Sequence, residues 1–153
     1  MYIHEDSSRF PKRKNPRMTH FDYTSANYYF ITVCTHNREC LFGTSGQLNV
    51  LGQLAQKGIE NIPLHFPGVK MDKYVVMPNH VHAIVVIEEG CAASLSTIIG
   101  QYKSAVSKYV SASRLWQRSF HDHVIRNRIS YEKIWNYIDT NPVRWKSDCF
   151  YAE

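Results

Sequence analysis

The stretch of sequence that decides the fold is Met77-Pro78-Asn79-His80-Val81-His82-Ala83-Ile84-Val85-Val86-Ile87. Its Pro-Asn pair favours a tight turn, and the β-branched residues around the pair favour strands. Because side chains two positions apart on a strand share a face, His80 and His82 are expected to project together near the turn. Paired imidazoles are the beginning of a divalent metal site. Two histidines at the end of a buried strand are also consistent with hydrogen-bonded core residues.

The composition is that of one globular domain, with 153 residues, 44% hydrophobic and 20% charged. A net charge of +5 favours a polyanionic partner, although a solvated basic surface would give the same value. The four cysteines show no Cys-x-x-Cys spacing, which excludes a zinc knuckle or a disulfide framework as the expected class. No apolar stretch approaches the length of a membrane span, and the first residues are polar rather than signal-like, so a cytoplasmic protein is expected.

The first 26 residues are basic and lack hydrophobic periodicity. Lys12, Arg13, Lys14 and Arg17 make this stretch an N-terminal arm, which either contacts a nucleic-acid backbone or serves as a solubilising tail. Residues 27–153 are expected to form the functional domain.

Hydrophobic periodicity predicts four strands and three helices in the rest of the chain. The predicted strands cover residues 28–35, 69–77, 80–88 and 115–125. The first predicted helix covers residues 47–62 and is ended by Pro63 and Pro67. The second covers residues 95–109, with Ser94 as N-cap and an apolar stripe that ends in Ala105, Val106 and Tyr109. The third covers residues 130–141 and is ended by Pro142. The order β-α-β-β-α-β-α predicts an α+β fold, a ferredoxin-like split βαβ sandwich with an antiparallel sheet, helices on one face and an additional C-terminal helix.

The last predicted helix contains two tyrosines that differ in position. Tyr131 lies in the apolar stripe and is predicted to be a packing residue. Tyr137 falls about 110° from the centre of that stripe, at a border where a phenol could face a cleft. Asn141, four residues further on, is adjacent on the helix surface and offers an oxygen suited to a hard cation. An ordinary amphipathic helix with a surface tyrosine and an Asn cap would show the same pattern.

Four short motifs occur in order and span roughly residues 27–145. They are YVVMPNHVH at 74–82, WQRSF at 116–120, DHVIR at 122–126 and YIDTNP at 137–142. Together they resemble the single-tyrosine HUH transposases of the IS200-like group. The Asn-Pro ending, in place of the Gln that is usual in insertion-sequence members, is more similar to the REP-associated tyrosine transposase branch.

The resemblance implies a metal-dependent transposase that cleaves and rejoins single-stranded DNA through a covalent 5′-phosphotyrosine intermediate, at hairpin-forming, REP-like sequences. It implies that Tyr137 is the nucleophile and that His80, His82 and Asn141 are ligands of Mg²⁺ or Mn²⁺. The protein would be cytoplasmic and associated with the nucleoid, and either a monomer or a homodimer.

Several basic residues lie close to the motifs. Lys103, Arg118 and Arg126 are candidate contacts for DNA phosphates, or plain surface residues. A second His-x-His, His121-Asp122-His123, lies on a less regular segment. In the resemblance this segment corresponds to a structural or DNA-facing strand, so direct metal ligation by it is not expected.

Two other functions fit the same pattern. The first is a non-catalytic ferredoxin-like module that binds single-stranded nucleic acid by stacking on Tyr28, Tyr29 and Phe30. The second is a metal-dependent phosphodiesterase that uses water instead of Tyr137. Proximity of Tyr137 to the histidine pair would argue against a pure binding module, which needs no such arrangement.

Overall fold

The computed structural model describes residues 26–110 and 114–152. Within these ranges the chain forms six strands and three α-helices. The strands are β1 (Ala26–Cys34), β2 (Gly43–Thr44), β3 (Gln47–Leu48), β4 (Val69–Met77), β5 (His80–Glu88) and β6 (His121–Ile125). The helices are α1 (Val50–His65), α2 (Leu95–Ser107) and α3 (Arg128–Thr140). The predicted basic arm with Lys12, Arg13, Lys14 and Arg17 lies outside the described residues, except for Ala26, which begins β1.

The main sheet has four antiparallel strands in the order β4-β5-β1-β6. This order interleaves the two halves of the chain and confirms the predicted ferredoxin-like arrangement. The β4–β5 hairpin has the predicted bounds, with Met77 paired to His80 around a Pro-Asn turn.

The strand β5 is covered on both faces, which explains its continuous apolar sequence. Val81, Ala83, Val85 and Ile87 contribute to the core under α1 and α2. The alternate residues Ile84 and Val86 pack instead with residues of α3. The sheet therefore carries α1 and α2 on one face, as predicted, and the C-terminal helix on the other. Among the described residues, no helix combines the length and the apolar character that crossing a membrane requires.

The helix α1 differs from its prediction at both ends. It begins at Val50 because Gln47 and Leu48 pair in a short hairpin with β2, and the Asn49 side chain then caps the helix by accepting from Gly52 N–H at 2.8 Å. It continues through Pro63, which was predicted to end it. A proline in the last turn removes only one hydrogen bond, and the helix ends two residues later.

The prediction for the chain beyond β5 was too long in two places. The helix α2 ends at Ser107, so Tyr109 lies beyond it and is 66% exposed instead of joining the apolar stripe, and Ala105 is exposed as well. The Ser94 cap is confirmed, since its hydroxyl accepts from Thr97 N–H. The predicted strand 115–125 is only His121–Ile125, because Trp116 turns into the core and makes a single bridge to Thr35.

Candidate active site

The two histidines of β5 lie side by side in the interior of the protein. His80 and His82 are both 0% exposed, and their ring centroids are 4.4 Å apart. They lie on the α3 face of the sheet, at the end where the β4–β5 turn enters β5. The expectation that they project together near the turn is met.

Each ring is anchored through its Nδ1 atom. His80 Nδ1 lies 2.8 Å from Asn79 Oδ1, and His82 Nδ1 lies 2.8 Å from the Thr32 hydroxyl on β1. The Asn79 amide nitrogen donates to two backbone carbonyls, those of Arg38 and Phe150, so its oxygen faces His80 and accepts from Nδ1–H. The Nε2 atom of His80 therefore carries the lone pair.

The two Nε2 atoms are buried and have no hydrogen-bond partner among the described residues. A buried polar atom without a partner costs free energy. Imidazoles whose Nδ1 is held by a neighbouring oxygen while Nε2 stays open are arranged as metal-binding histidines are.

Both histidines are held in the neutral form. Burial lowers the pKa of His80 to about 4, although the Asp148 carboxylate and the Asn141 amide act in the opposite direction. Burial also lowers the pKa of His82 well below its ordinary value, and the neighbouring His80 lowers it further. Neutral imidazole is the form that binds a metal.

These low pKa values predict a pH-dependent stability. Between pH 6.5 and about 4, the unfolded chain protonates His80 while the folded protein does not, so folding stability falls as the pH falls. We expect the free energy of unfolding of the EDTA-treated protein to drop by on the order of 2 kcal/mol from this group between pH 7 and pH 5. Urea denaturation at both pH values measures it. His80→Gln should lose this part of the pH dependence, and His65→Gln, at an exposed position, should keep it; equal slopes in both variants would contradict the assignment.

Asp148 joins the histidine pair. One ligand atom from each of His80, His82 and Asp148 lies within 4.8 Å of the others, and all three residues are buried, so this group could hold a metal ion. The Asp148 side chain accepts from the Asn141 amide through one oxygen and from Phe150 N–H at 2.9 Å through the other. Sequence reasoning missed Asp148, because it has no fixed spacing to the histidines and lies outside the four motifs.

Asn141 also lies at the histidine pair, as predicted. It follows the last residue of α3, is 2% exposed, and donates from its amide nitrogen to Asp148. This bond fixes the direction of the amide. Its Oδ1 has no hydrogen-bond partner among the described residues. The Asn141 side chain raises the pKa of His80, against the larger lowering effect of burial. The Nε2 atom of neutral His80 and the Oδ1 atom of Asn141 are both buried acceptors without a partner among the described residues, and a cation would satisfy both.

Tyr137 lies beside His82. The ring centroids of the two residues are 5.2 Å apart, and Phe30 meets the Tyr137 ring edge-on at 6.1 Å. The prediction that Tyr137 lies at an accessible border of α3 was wrong, since its exposed fraction is 5%. Residues beyond the helix cover this side of α3, and Cys149 is one of them. Burial raises the pKa of the Cys149 thiol, and a hydrogen bond from Tyr137 lowers it by a smaller amount. Tyr131 is fully buried, as predicted for a packing residue.

Residues 145–152, called here the C-terminal segment, close the site. The Phe150 ring lies 4.5 Å from the His80 ring and 5.7 Å from the His82 ring, measured between centroids. The segment is held by the Asn79 side chain, which donates to Phe150 O at 2.8 Å, and by Trp145, whose ring lies 6.1 Å from His80. Both histidines are fully covered, and the C-terminal segment forms part of the cover.

The predicted DNA-contacting residues of the domain occupy three different settings. Lys103 donates to the backbone carbonyls of Gln117, at 2.6 Å, and Arg118, at 3.3 Å, and thereby ties a loop to α2. Arg118 is exposed. It lies at the histidine end of the sheet, because the backbone N–H of the preceding Gln117 donates to the carbonyl of Cys34, and Cys34 pairs with His80. Arg126 is exposed at the opposite end of β6. The structure therefore brings only Arg118 of these three side chains to the surface near the site.

The second His-x-His lies on the same face but too far away to share an ion. His121 pairs with Thr32, which pairs on its other side with His82. Two strand spacings separate His121 from His82, about 10 Å. This position on the edge strand β6 agrees with the expectation that the second pair is not the metal pair.

The fold and the site together define a class of protein, an antiparallel α+β domain whose central strand carries two buried histidines beside a tyrosine from the C-terminal helix. The family model described as Transposase IS200 like matches residues 22–141. The chain belongs to this family, and membership implies a DNA-cleaving enzyme.

Two relatives and two solved structures extend this result. An uncharacterised protein of Haemophilus influenzae is 34% identical in an alignment that covers 92% of this chain and 94% of that protein. The REP-associated tyrosine transposase of Escherichia coli K12 is 28% identical over 122 residues, 80% of this chain and 70% of that protein. The structure of a REP-associated tyrosine transposase bound to a REP hairpin superposes with a TM-score of 0.66 and 26% identity, over 81% of this chain and 71% of that one. A crystal structure from Deinococcus radiodurans, with a TM-score of 0.54 and 13% identity over 85% of this chain and 97% of that one, shares the fold alone.

Proposed function

We propose that this protein cleaves and rejoins single-stranded DNA at hairpin-forming sequences, through a covalent 5′-phosphotyrosine bond on Tyr137. The observation that carries the proposal is the 5.2 Å separation between the Tyr137 and His82 rings, in a site whose two buried Nε2 atoms have no partner among the described residues. A module that only binds nucleic acid has no use for such a buried arrangement. The similarity to a transposase solved with a REP hairpin supports the choice of substrate.

The residues present fit a divalent cation, Mg²⁺ or Mn²⁺. His80 and His82 would hold it through Nε2, and Asn141 through Oδ1, the three buried acceptors at this site that lack partners among the described residues. Mixed nitrogen and oxygen donors suit such ions. When bound, the ion supplies Lewis-acid stabilisation of the charge that develops on a phosphate.

The chain's own part in the reaction is nucleophilic. The Tyr137 phenol loses its proton, its oxygen forms a bond to phosphorus, and the bond from phosphorus to the 3′ oxygen breaks. The departing oxygen takes up a proton and becomes a 3′-hydroxyl. Attack by another 3′-hydroxyl on the phosphotyrosine reverses the step and joins strands without an external energy source. Packing against Phe30 and His82 limits how the Tyr137 ring can turn, which holds the oxygen in a narrow range of positions.

Tyr137 and the histidines come from one chain. The Lys73 ammonium of β4 forms an ion pair with Asp139 of α3 at 2.9 Å and lies 3.9 Å from the centre of the Trp135 ring. The Tyr131 hydroxyl donates to Asp72, also on β4. These contacts hold α3 on its own sheet, so we propose that a monomer contains a complete site.

The substrate proposal predicts a preference for DNA structure. In gel-shift assays we expect a single strand that contains a hairpin to bind more tightly than a plain duplex, with an affinity that falls as salt rises. The predicted basic arm, with Lys12, Arg13, Lys14 and Arg17, would contribute to this salt dependence. Equal or tighter binding to the duplex would contradict the proposal.

The position of Arg118 gives a matched comparison. Arg118→Ala removes an exposed charge at the histidine end of the sheet, whereas Arg126→Ala removes one at the far end of β6. We expect Arg118→Ala to weaken hairpin binding and to lower the slope of log affinity against log salt by about one, and Arg126→Ala to do neither. Titrations at four salt concentrations measure both slopes; a larger effect from Arg126 would place the DNA at the other end of the sheet.

A further inference from the structure

We propose that Asp148 is an additional ligand of the divalent ion, so that ion binding and docking of the C-terminal segment stabilise each other. The inference rests on the proposed metal site at His80 and His82. It adds a carboxylate from outside the four sequence motifs, and it assigns a function to the C-terminal segment.

The geometry places the carboxylate within reach of the ion. A ligand oxygen of Asp148 and the ligand nitrogens of His80 and His82 all lie within 4.8 Å of one another. One Asp148 oxygen accepts from the Asn141 amide and the other from Phe150 N–H. Each carboxylate oxygen has two lone pairs, so both retain one that can coordinate an ion. Asp148 therefore positions Asn141 and offers itself as a ligand at the same time.

Charge provides the second argument. Two neutral imidazoles and an amide bring no negative charge to a divalent cation, and a buried, uncompensated charge is costly. Within the described part of the chain, Asp148 is the carboxylate that joins the histidines in such a group. It is 8% exposed, so solvent screens its charge little. Two imidazoles and a carboxylate are an established donor set for divalent ions.

The location of Asp148 links the ion to the C-terminal segment. The residue lies between the short helix Trp145–Ser147 and Phe150, whose ring covers His80 at 4.5 Å. A bond from Asp148 to the ion would hold these neighbours against the histidines. Because coupling between two equilibria is reciprocal, displacement of the segment should weaken ion binding, and ion binding should hold the segment closed.

The first test is calorimetric titration of the full chain with Mn²⁺, without DNA. We expect Asp148→Asn to weaken Mn²⁺ binding ~10- to 100-fold, the range found when groups around a metal site are altered. Asp122→Asn, at an exposed position on β6, is the matched control and should bind as the unaltered protein does. Unchanged affinity in Asp148→Asn would overturn this inference.

A separate variant distinguishes failure of the inference from failure of the proposed function. The double variant His80→Ala/His82→Ala should lose Mn²⁺ binding. If the unaltered protein binds no Mn²⁺, or binds it equally well without the histidines, then the proposed metal site is wrong and the inference fails with it. If only Asp148→Asn behaves like the unaltered protein, the histidine site stands and Asp148 is not a ligand.

The second test measures the C-terminal segment directly by hydrogen exchange. Mn²⁺ should slow exchange across residues 145–152 in the unaltered protein and in Asp122→Asn, but not in Asp148→Asn. Phe150→Ala leaves the Asp148 carboxylate in place and loosens the C-terminal segment, so it should weaken Mn²⁺ binding several-fold. This second variant keeps the test valid if Asp148→Asn does not fold. Faster exchange with Mn²⁺, or unchanged affinity in Phe150→Ala, would overturn the proposed linkage.

Discussion

Tyr137→Phe is expected to abolish DNA cleavage and the covalent protein–DNA adduct while leaving DNA affinity intact. The substitution removes only the phenol oxygen, which forms the bond to phosphorus in the proposed reaction. The ring, which packs against Phe30 and His82, stays in place. We expect the cleavage rate to fall on the order of a thousand-fold or more, as for the loss of a covalent nucleophile. Incubation with a labelled, hairpin-bearing single strand and Mn²⁺ or Mg²⁺, followed by a denaturing gel, measures cleavage and adduct together.

Tyr131→Phe is the matched control on the same helix. Its ring is fully buried, and its hydroxyl donates to Asp72 of β4, so the loss should cost about 1 kcal/mol of stability and leave the chemistry largely unchanged. An adduct that persists in Tyr137→Phe and disappears in Tyr131→Phe would move the nucleophile along the helix. Cleavage without any adduct, with both tyrosines present, would favour the phosphodiesterase that uses water.

The alternative of a pure binding module loses its predicted surface in this fold. Tyr28 and Phe30, proposed for base stacking, are 7% and 3% exposed because α3 packs over them. The T-shaped contact between Tyr28 and Tyr131 fills the space that a base would need. Tyr29 points to the other face, where it packs against the core under α1 and α2. The three rings therefore form no common platform.

Local sequence signals predicted the parts of the fold that depend on local chemistry. The turn at Pro78 and Asn79 and the apolar run of β5 led to the correct hairpin bounds. From the period of a strand alone, His80 and His82 were correctly placed on one face. The Ser94 cap followed from the preference of a hydroxyl for the first free N–H groups of a helix.

Contacts between distant parts of the chain could not be predicted in this way. Asp148 reaches the histidines through a turn after α3 that has no periodicity, so spacing gave no signal for it. The burial of Tyr137 depends on the same segment, because an angular count on one helix does not include what packs against its second side. Lys103, a predicted DNA contact, likewise donates its ammonium hydrogens to the backbone carbonyls of Gln117 and Arg118. The position of these carbonyls depends on the folded chain, so local sequence patterns contain no signal for this contact.

Loss of the paired histidines of β5 is expected to have an effect as large as loss of Tyr137. His80→Ala/His82→Ala removes both buried Nε2 atoms that lack partners among the described residues, so Mn²⁺ binding and DNA cleavage should both disappear while hairpin binding remains. Chelation of the unaltered protein with EDTA should have the same effect on cleavage, and added Mn²⁺ should restore it. Circular dichroism verifies that the variant is folded.

The chain provides a matched control in its second His-x-His. His121→Ala/His123→Ala removes two imidazoles from the edge strand β6, about 10 Å from His82. Because that separation is too large for a shared ion, Mn²⁺ affinity and cleavage should persist in this variant. Full cleavage by His80→Ala/His82→Ala together with loss of cleavage in His121→Ala/His123→Ala would place the metal site on the edge strand β6 instead. Full cleavage by both variants, or by the EDTA-treated protein, would remove metal from the proposed reaction and leave Tyr137 to act without it.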